Sequence, residues 1–448
     1  MQQCHMKTHR PLLYLVFAAF VASILNSAAS AQNTVPAPIK IAMIEGMSGP
    51  FANAGEAVLR NIRFAIERVN ASGGVKTKQG MQPLELMILD SKGQAEEALI
   101  VLKAALDRDA VAVLQGNSSA VAGVLSAAIA KHNEREPGKR AVFLNYSAVD
   151  PVLTNEKCSP WHFRFDAHID MRMAALVAHI AQDTAIKKLY LFNQDYAFGQ
   201  QVAKSARAML AALRPDITIV GDDLHPIGKV QDFAPYANKI KASGADAVLT
   251  GNWGNDLTLF VRATKEVGLQ THFYTFYGNG LGAPAALGDA GVERVVAVSE
   301  WHSNASVGVG KTLPAAPLVT PLDTLYEAYR KRYPAPKDDY FNPRTVLMIE
   351  MLVQAIETAG QADALGMAKA LSGMAYKQGG FDATLRSGDH QLIQPLYVYR
   401  MGKQGSVGIV KDVEGSGYGF KTVLKVPASA LTQAHRCVMN KDKTTAGF

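Results

Sequence analysis

The feature that most constrains the fold of this chain is a repeated alternation of short apolar runs with longer amphipathic stretches. The alternation starts with IKIAMIE at 39–45, a helical pattern over 55–71, LELMILD at 84–90 and a second helical pattern over 94–108. Runs of these lengths predict strands that alternate with helices. Repeated strand–helix units predict parallel sheets with helices on both faces, and they place ligand sites at the carboxyl ends of the strands.

The same alternation continues through further apolar runs, and it predicts more strands than a single sheet usually contains. These runs are AVAVLQG, AVFLNYS, KLYLFNQ, ITIVGDD, DAVLTGNW, HFYTFYG and RVVAVSEW. A chain of 448 residues also exceeds the size that a single hydrophobic core usually serves. Near the end, QPLYVYRMGKQGSVGIVK at 394–411 predicts a hairpin. We therefore expect an α/β protein with two lobes.

The first 31 residues have the three parts of a secretory signal peptide. MKTHR supplies a basic start, PLLYLVFAAFVASIL an apolar core, and Ala29-Ser30-Ala31 the small residues of a cleavage site. The apolar core is short for a membrane span. We therefore expect a signal peptide over 1–31, cleavage after Ala31 and a soluble mature protein outside the cytoplasm.

The net charge limits the classes of partner that the protein can bind, and the cysteine content indicates its redox compartment. The formal net charge is +7, but the basic residues are scattered, so no nucleic-acid partner is expected. Cys158 and Cys437 remain once the leader with Cys4 is removed, and an even pair is readily joined in an oxidising compartment. A disulfide between Cys158 and Cys437 is the expectation, with two buried thiols as the alternative.

The usual motifs of an enzyme or a metal site are absent from the sequence. It contains no Gly-x-Ser-x-Gly elbow, no Gly-x-x-x-x-Gly-Lys-Ser/Thr loop, no His-Glu-x-x-His and no paired Cys-x-x-Cys. His162, His168 and His179 have no carboxylate at metal-site spacing. We therefore expect no catalysis, no metal and no cofactor.

Several ordered segments resemble the leucine/isoleucine/valine-binding family of periplasmic solute receptors that serve ABC transporters. They are IKIAMIEGMSGPFANAGEAVLRNIRFAIERVNASGGV, LMILDSKGQAEEAL, NYSAVDPVLT, YLFNQDYAFGQ and GNWGNDLTLFVRATKEVGL. The resemblance implies a type I periplasmic-binding-protein fold, in which two doubly wound parallel-sheet lobes are joined by three crossovers and close by hinge motion. It places residues 36–164 and 302–378 in an N-terminal lobe. Residues 165–301 and 379–448 would form a C-terminal lobe and tail.

A receptor of this family implies a periplasmic monomer that captures a small-molecule carboxylate between its lobes and catalyses nothing, and a branched-chain or other amino acid is the ligand expected at the level of the family. Its partners would be an ABC permease and its ATPase in the inner membrane. A second class stays open, a ligand-sensing subunit of a periplasmic regulatory or receptor system, which would depend on a partner protein. A permease encoded next to this protein would favour the first class.

The turn QGNSSAVA supplies the first expected ligand contact. Unsatisfied backbone amides at a strand end and helix start, together with a serine hydroxyl, make a cradle for an anion. The resemblance places Ser119 at the family's carboxylate-binding hydroxyl, with Ser118 beside it. The alternative for both serines is plain helix N-capping. A second grip on the carboxylate would come from Ser147, Ala148 and Val149.

The opposite lobe is where the sequence departs from amino-acid receptors. Tyr277 stands where family members that take amino acids carry an acidic residue for the buried ammonium. With Phe198 and Trp253 it would form an aromatic wall, while Ala54 replaces another aromatic residue and makes room. Such a wall favours an aromatic or branched acid without an amine, although each ring could instead belong to a lobe core. Further possible contacts are Tyr196 and, as sources of negative charge for an amino acid, Asp195, Asp256 and Glu300.

Overall fold

The computed structural model describes residues 1–3, 36–307 and 319–439. Apart from its first three residues, the expected signal peptide lies outside this described part. Within these ranges, no helix has the length and apolar character that a membrane crossing needs.

The first lobe is built on a five-stranded sheet in which every neighbouring pair of strands is parallel. Its first chain segment contains β1 (Ile39–Glu45), α1 (Ala52–Ala71), β2 (Val75–Thr77), β3 (Gly80–Gln82), β4 (Leu84–Asp90), α2 (Ala95–Asp107), β5 (Ala112–Gln115), α3 (Ser119–Arg135), β6 (Val142–Asn145) and β7 (His162–Arg164). The strand order is β4-β1-β5-β6-β7. The short strands β2 and β3 form a separate hairpin.

The sequences of the central strands explain their position. AVLQ of β5 and VFLN of β6 are buried at every position, because helices cover both faces of a parallel sheet. In α1, Val58, Ile62 and Ile66 form the buried stripe that the helical spacing predicts. The helices expected at 55–71 and 94–108 are therefore present, with slightly different ends.

The second lobe is built on a seven-stranded sheet. Its first chain segment contains α4 (Ile169–Ile180), β8 (Lys188–Gln194), α5 (Ala197–Leu213), β9 (Thr218–His225), α6 (Ala234–Ser243), β10 (Ala247–Thr250), α7 (Gly254–Glu266), β11 (His272–Thr275), α8 (Ala283–Leu287) and β12 (Val295–Ser299). The chain then returns to the first lobe through α9 (Pro321–Arg332), α10 (Pro343–Ala359), α11 (Ala364–Leu371), β13 (Ala375–Tyr376), β14 (Ala383–Leu385) and β15 (Leu392–Ile393). It ends in the second lobe with β16 (Leu396–Lys403), β17 (Tyr418–Val426) and α12 (Ala428–Leu431).

The strand order of the second sheet is β17-β16-β12-β11-β10-β8-β9. The strands from β12 to β9 are parallel, and β16 and β17 add an antiparallel edge. The first strand of the expected hairpin is present as β16. The second strand was expected at the end of 394–411, and that prediction is wrong, because the partner strand β17 begins only at Tyr418. That region belongs to a loop over 404–417 in which four glycines have positive φ, a conformation that favours turns over strands.

The chain crosses between the two hydrophobic cores three times, within a few residues each time. The crossings run from Phe165 to Ala167, from Val298 to Trp301 and from Leu392 to Leu396. The third crossing lies later than the expected boundary after residue 378. The small sheet of β13, β14 and β15 accounts for the difference, because Ala383, Leu385 and Leu392 pack into the first core.

The C-terminal tail does not stay with the second lobe, to which the sequence analysis assigned it. Leu431 is buried in the second core. Further along, Cys437 forms a disulfide with Cys158 of the first lobe, with the sulfur atoms 2.09 Å apart. The Arg386 guanidinium holds the same stretch by donating to the Gln433 carbonyl at 2.7 Å. The tail is thus a fourth connection between the lobes.

Candidate ligand-binding site

A cavity lies between the lobes, and it is lined by loops and first helical turns that follow strands of both sheets, together with residues of α1 and α10. Nine residues named from the sequence line it: Ala54, Ser119, Ser147, Ala148, Val149, Tyr196, Phe198, Trp253 and Tyr277. The rest of the lining consists of Val58, Gly116, Asn117, Leu281, Tyr340, Asn342 and Arg344. The fold therefore brings most of the expected contacts together, and their binding of a ligand stays a prediction.

The lobes touch each other directly beside the cavity. Phe51, which precedes α1, stacks on Trp253, which precedes α7, with ring centroids 5.3 Å apart. The side-chain amide of Asn53 donates to the side-chain oxygen of Asn255 at 3.0 Å. These two contacts join the lobes at this edge of the cavity.

Donors for an anion remain at the N-terminus of α3. The amide N–H groups of Ser119 and Val149 have no partner among the described residues. Ser119 Oγ accepts the Asp150 N–H at 3.3 Å, which leaves its own proton free to donate. Ser118 differs from the expectation, since its Oγ accepts the Val121 N–H at 3.4 Å and it does not line the cavity. Ser118 is therefore the N-cap of α3, which is the alternative that the sequence analysis left open.

A carboxylate of the chain itself occupies part of the expected cradle. Glu45, at the end of β1, accepts the N–H groups of Gly116 at 3.2 Å and Asn117 at 3.0 Å. The Tyr146 hydroxyl donates to the same oxygen. Burial raises the pKa of Glu45 against the opposing effect of these hydrogen bonds. The sequence analysis missed Glu45, although β1 and β5 are neighbours whose carboxyl ends meet at one edge of the sheet.

The aromatic wall is formed by three loops of the second lobe. Tyr196 and Phe198 follow β8, Trp253 follows β10, and Tyr277 follows β11. The Trp253 indole N–H donates to the Tyr196 hydroxyl at 2.9 Å. The Phe198 ring centroid lies 5.7 Å from that of Tyr196 and 6.4 Å from that of Tyr277. Phe198 and Trp253 also pack into the second core, so these two residues serve the core and the cavity together.

Arg344, in the first turn of α10, is the charged side chain of the described lining, and the sequence analysis missed it. Its Nη1 donates to both Glu300 oxygens, at 2.8 and 2.9 Å. Its Nε lies 3.5 Å from Asp166 Oδ2, and Arg172 holds the same carboxylate at 2.6 Å. Burial alone would lower the pKa of Arg344, but Asp166 and Glu300 raise it above its ordinary value. The guanidinium therefore remains a cation.

Tyr340 and Asn342 lie just before Arg344 and were not among the residues named from the sequence. The Tyr340 ring packs on Gly280 so closely that a Cβ at that glycine would fall 2.5 Å from two ring carbons. Burial raises the pKa of Tyr340 to about 12, although Arg344 acts in the opposite direction. A sequence signal for this part of the site exists, since an arginine that opens the apolar helix TVLMIEML needs a buried polar partner.

The three acidic residues considered as partners for an ammonium do not line the cavity. Asp195 is exposed. Asp256 accepts the Gln194 side-chain amide at 2.8 Å and the Gly228 N–H at 2.9 Å. Glu300 is bonded to the guanidinium described above. The lining contains no carboxylate from any of the described residues.

Comparisons with known proteins agree with the fold. Residues 38–406 match the model of the periplasmic binding protein family. The Leu/Ile/Val-binding protein homolog 4 of Brucella abortus is 30% identical over 414 residues, which cover 91% of this chain and 94% of that protein. The closed crystal structure of a leucine-, isoleucine-, valine-, threonine- and alanine-binding protein from Brucella ovis has a TM-score of 0.75 at 26% identity, and the match covers 90% of this chain and 99% of that one.

A more distant neighbour shows the fold alone. It is the solute binding protein of an ABC transporter from R. palustris, solved in complex with benzoate, with a TM-score of 0.71 at 17% identity. The match covers 89% of this chain and 99% of that one.

This chain belongs to the periplasmic binding protein family, and the resemblance seen in the sequence is confirmed. Its relatives are substrate-binding proteins of transport systems, so it is a binding protein and not an enzyme. In the part of the chain that the structure describes, no group of His, Cys, Asp and Glu side chains is arranged to hold a metal ion.

Proposed function

We propose that this protein is the periplasmic receptor of an ABC importer and that its ligand is a small carboxylate without an amine. The observation that carries the ligand class is the charge of the cavity lining. Arg344 is its one charged side chain among the described residues. An ammonium in this cavity would face a guanidinium and no carboxylate, and an uncompensated buried charge costs several kcal/mol.

The carboxylate group is held, in this proposal, at the N-terminus of α3. The N–H groups of Ser119 and Val149 and the Ser119 hydroxyl supply three donors. The positive end of the helix dipole favours an anion at the same place. Glu45 already accepts hydrogen bonds from the neighbouring amides of Gly116 and Asn117. The ligand carboxylate is therefore bound only by the donors of Ser119 and Val149.

The body of the ligand lies against the aromatic wall. Phe198, Trp253 and Tyr277 offer an apolar face, and Ala54 opposite them leaves room for a ring or a branched chain. The benzoate complex of the R. palustris neighbour is consistent with an aromatic acid. The names of the Brucella relatives make branched-chain amino acids the competing ligand class.

Titration calorimetry on protein that has been unfolded and refolded to remove bound solute tests the ligand class. Two matched pairs isolate the amine: leucine against 4-methylpentanoate, and phenylalanine against 3-phenylpropanoate. Benzoate and 4-hydroxybenzoate complete the panel. We expect an amine-free acid to bind with a Kd of about 1 μM or tighter and its amino-acid partner at least roughly 100-fold more weakly, because about 3 kcal/mol separates the two.

Tight binding of leucine or phenylalanine, with weak binding of their amine-free partners, would refute this ligand class. The transport role has its own test, which is uptake of the labelled ligand by cells with and without the gene. Uptake that does not change on deletion would favour the ligand-sensing subunit.

A further inference from the structure

One side of the cavity carries hydrogen-bond donors that the proposed carboxylate grip does not use. We call Tyr277, Tyr340 and Arg344 the hinge-side group, because Arg344 is tied to residues at two of the chain crossings. Asp166 lies in the first crossing, and Glu300 lies in the second.

Two donors of this group, one on Arg344 and one on Tyr340, are available to a ligand. Nη1 of Arg344 is bonded to Glu300, whereas Nη2 has no hydrogen-bond partner among the described residues. The Tyr340 hydroxyl likewise makes no hydrogen bond to a described residue, and Tyr340 lines the same cavity. Buried donors that remain unpaired cost free energy, so a ligand that satisfies them gains affinity.

The charges around this group balance. Arg344 and Arg172 carry two positive charges, and Asp166 and Glu300 carry two negative ones, within contacts of 2.6 to 3.5 Å. A second carboxylate would leave this buried cluster with a net negative charge. A neutral oxygen accepts the free N–H and O–H without changing the balance.

We propose that the ligand carries a second, neutral oxygen acceptor, a hydroxyl or carbonyl group, and that the hinge-side group receives it. This inference rests on the proposed function, because it takes the carboxylate to be held at Ser119 and Val149. The specificity-determining side chains are Tyr340 and Arg344 from the first lobe, with Tyr277 opposite them in the second.

Size-matched probes isolate the second oxygen. Titration calorimetry compares 4-hydroxybenzoate with 4-methylbenzoate, 3-hydroxybenzoate with 3-methylbenzoate, and 4-oxopentanoate with 4-methylpentanoate. In at least one series the oxygen-bearing acid is expected to bind roughly 10- to 100-fold more tightly, since the analogue without the oxygen leaves buried donors unpaired.

The variant Tyr340→Phe tests the assignment to the hinge-side group. It should reduce the preference for the oxygen-bearing acid by about tenfold and change the affinity for the methyl analogue by less than about threefold. The matched control is Tyr418→Phe, whose hydroxyl bonds to Asp289 at the surface of the second lobe and should leave every affinity unchanged. Far-UV circular dichroism checks that both variants fold, and the wild-type series decides the inference even if Tyr340→Phe does not.

The outcomes separate the two proposals. Amine-free acids that bind with no preference for the second oxygen in any series overturn this inference and leave the proposed function standing. An equal loss for both members of a pair in Tyr340→Phe also overturns it, because the hydroxyl would then contact the carboxylate. Leucine binding more tightly than every acid overturns the proposed function and this inference with it.

Discussion

Replacing Arg344 with methionine should strongly destabilise the ligand-free protein, because it leaves a buried carboxylate without its cation. The Arg344 and Glu300 side chains are only 6% and 7% exposed, and their two hydrogen bonds measure 2.8 and 2.9 Å. In the variant, Asp166 retains its ion pair with Arg172, at 2.6 Å, whereas Glu300 forms no other ion pair among the described residues. Removing one partner of a buried pair costs about 3–5 kcal/mol. Methionine fills much of the vacated volume, which keeps the cavity contribution small.

Urea unfolding, followed by circular dichroism and tryptophan fluorescence, measures this loss. The double variant Arg344→Met/Glu300→Gln removes the stranded charge and should recover more than half of the lost stability. Arg332→Met is the matched control, because its ion pair with Glu67 is about half exposed and should be worth less than about 1 kcal/mol. A loss below about 1 kcal/mol in Arg344→Met, or a double variant no more stable than the single one, would refute the reasoning.

Three further predictions concern the disulfide, pH and the packing of the cavity. Serine at both cysteines of the disulfide, which closes a separation of 279 residues, should cost about 2–5 kcal/mol in urea unfolding; an unchanged midpoint would contradict this. Burial lowers the pKa of His162 to about 3, so the unfolded chain takes up protons first and stability should fall as the pH drops from about 6.5 towards 3. Urea midpoints at several pH values in that window check the direction, and a flat profile would count against it. Gly280→Ala should displace the Tyr340 ring and weaken ligand binding by roughly tenfold or more in calorimetry, whereas Gly138→Ala, which meets no atom within 4 Å, should not.

Much of the fold could be predicted from the sequence because strands covered on both faces have a distinct pattern. The run VFLN of β6 is apolar but for its last residue, and such a run fits a strand buried between two layers of helices. The position of the third crossing could not be predicted in this way. β14 and β15 are two or three residues long, and their attachment to the first core depends on packing that no local pattern encodes.

The candidate site could be predicted only where a single turn supplies the contact. Ser119 and Val149 follow strands of the first sheet directly, so their neighbours in sequence are also their neighbours in space. Glu45 reaches the turn after β5 through the pairing of two strands that are about 70 residues apart, and local reasoning therefore treated the amides of Gly116 and Asn117 as free. Ser118 was likewise predicted to contact a ligand, whereas its hydroxyl caps the N-terminus of α3.

Tyr277 alone could not decide the ligand class, because a carboxylate at a neighbouring position could replace the missing acid. Whether one does so depends on where Asp195, Asp256 and Glu300 point, and tertiary contacts determine their positions. Asp256 is held by an amide side chain and a backbone N–H, and Glu300 is bonded to Arg344. Glu300 therefore acts in the opposite sense to the one considered from the sequence. It neutralises Arg344 and is therefore not available to an ammonium, which supports the proposed ligand without an amine.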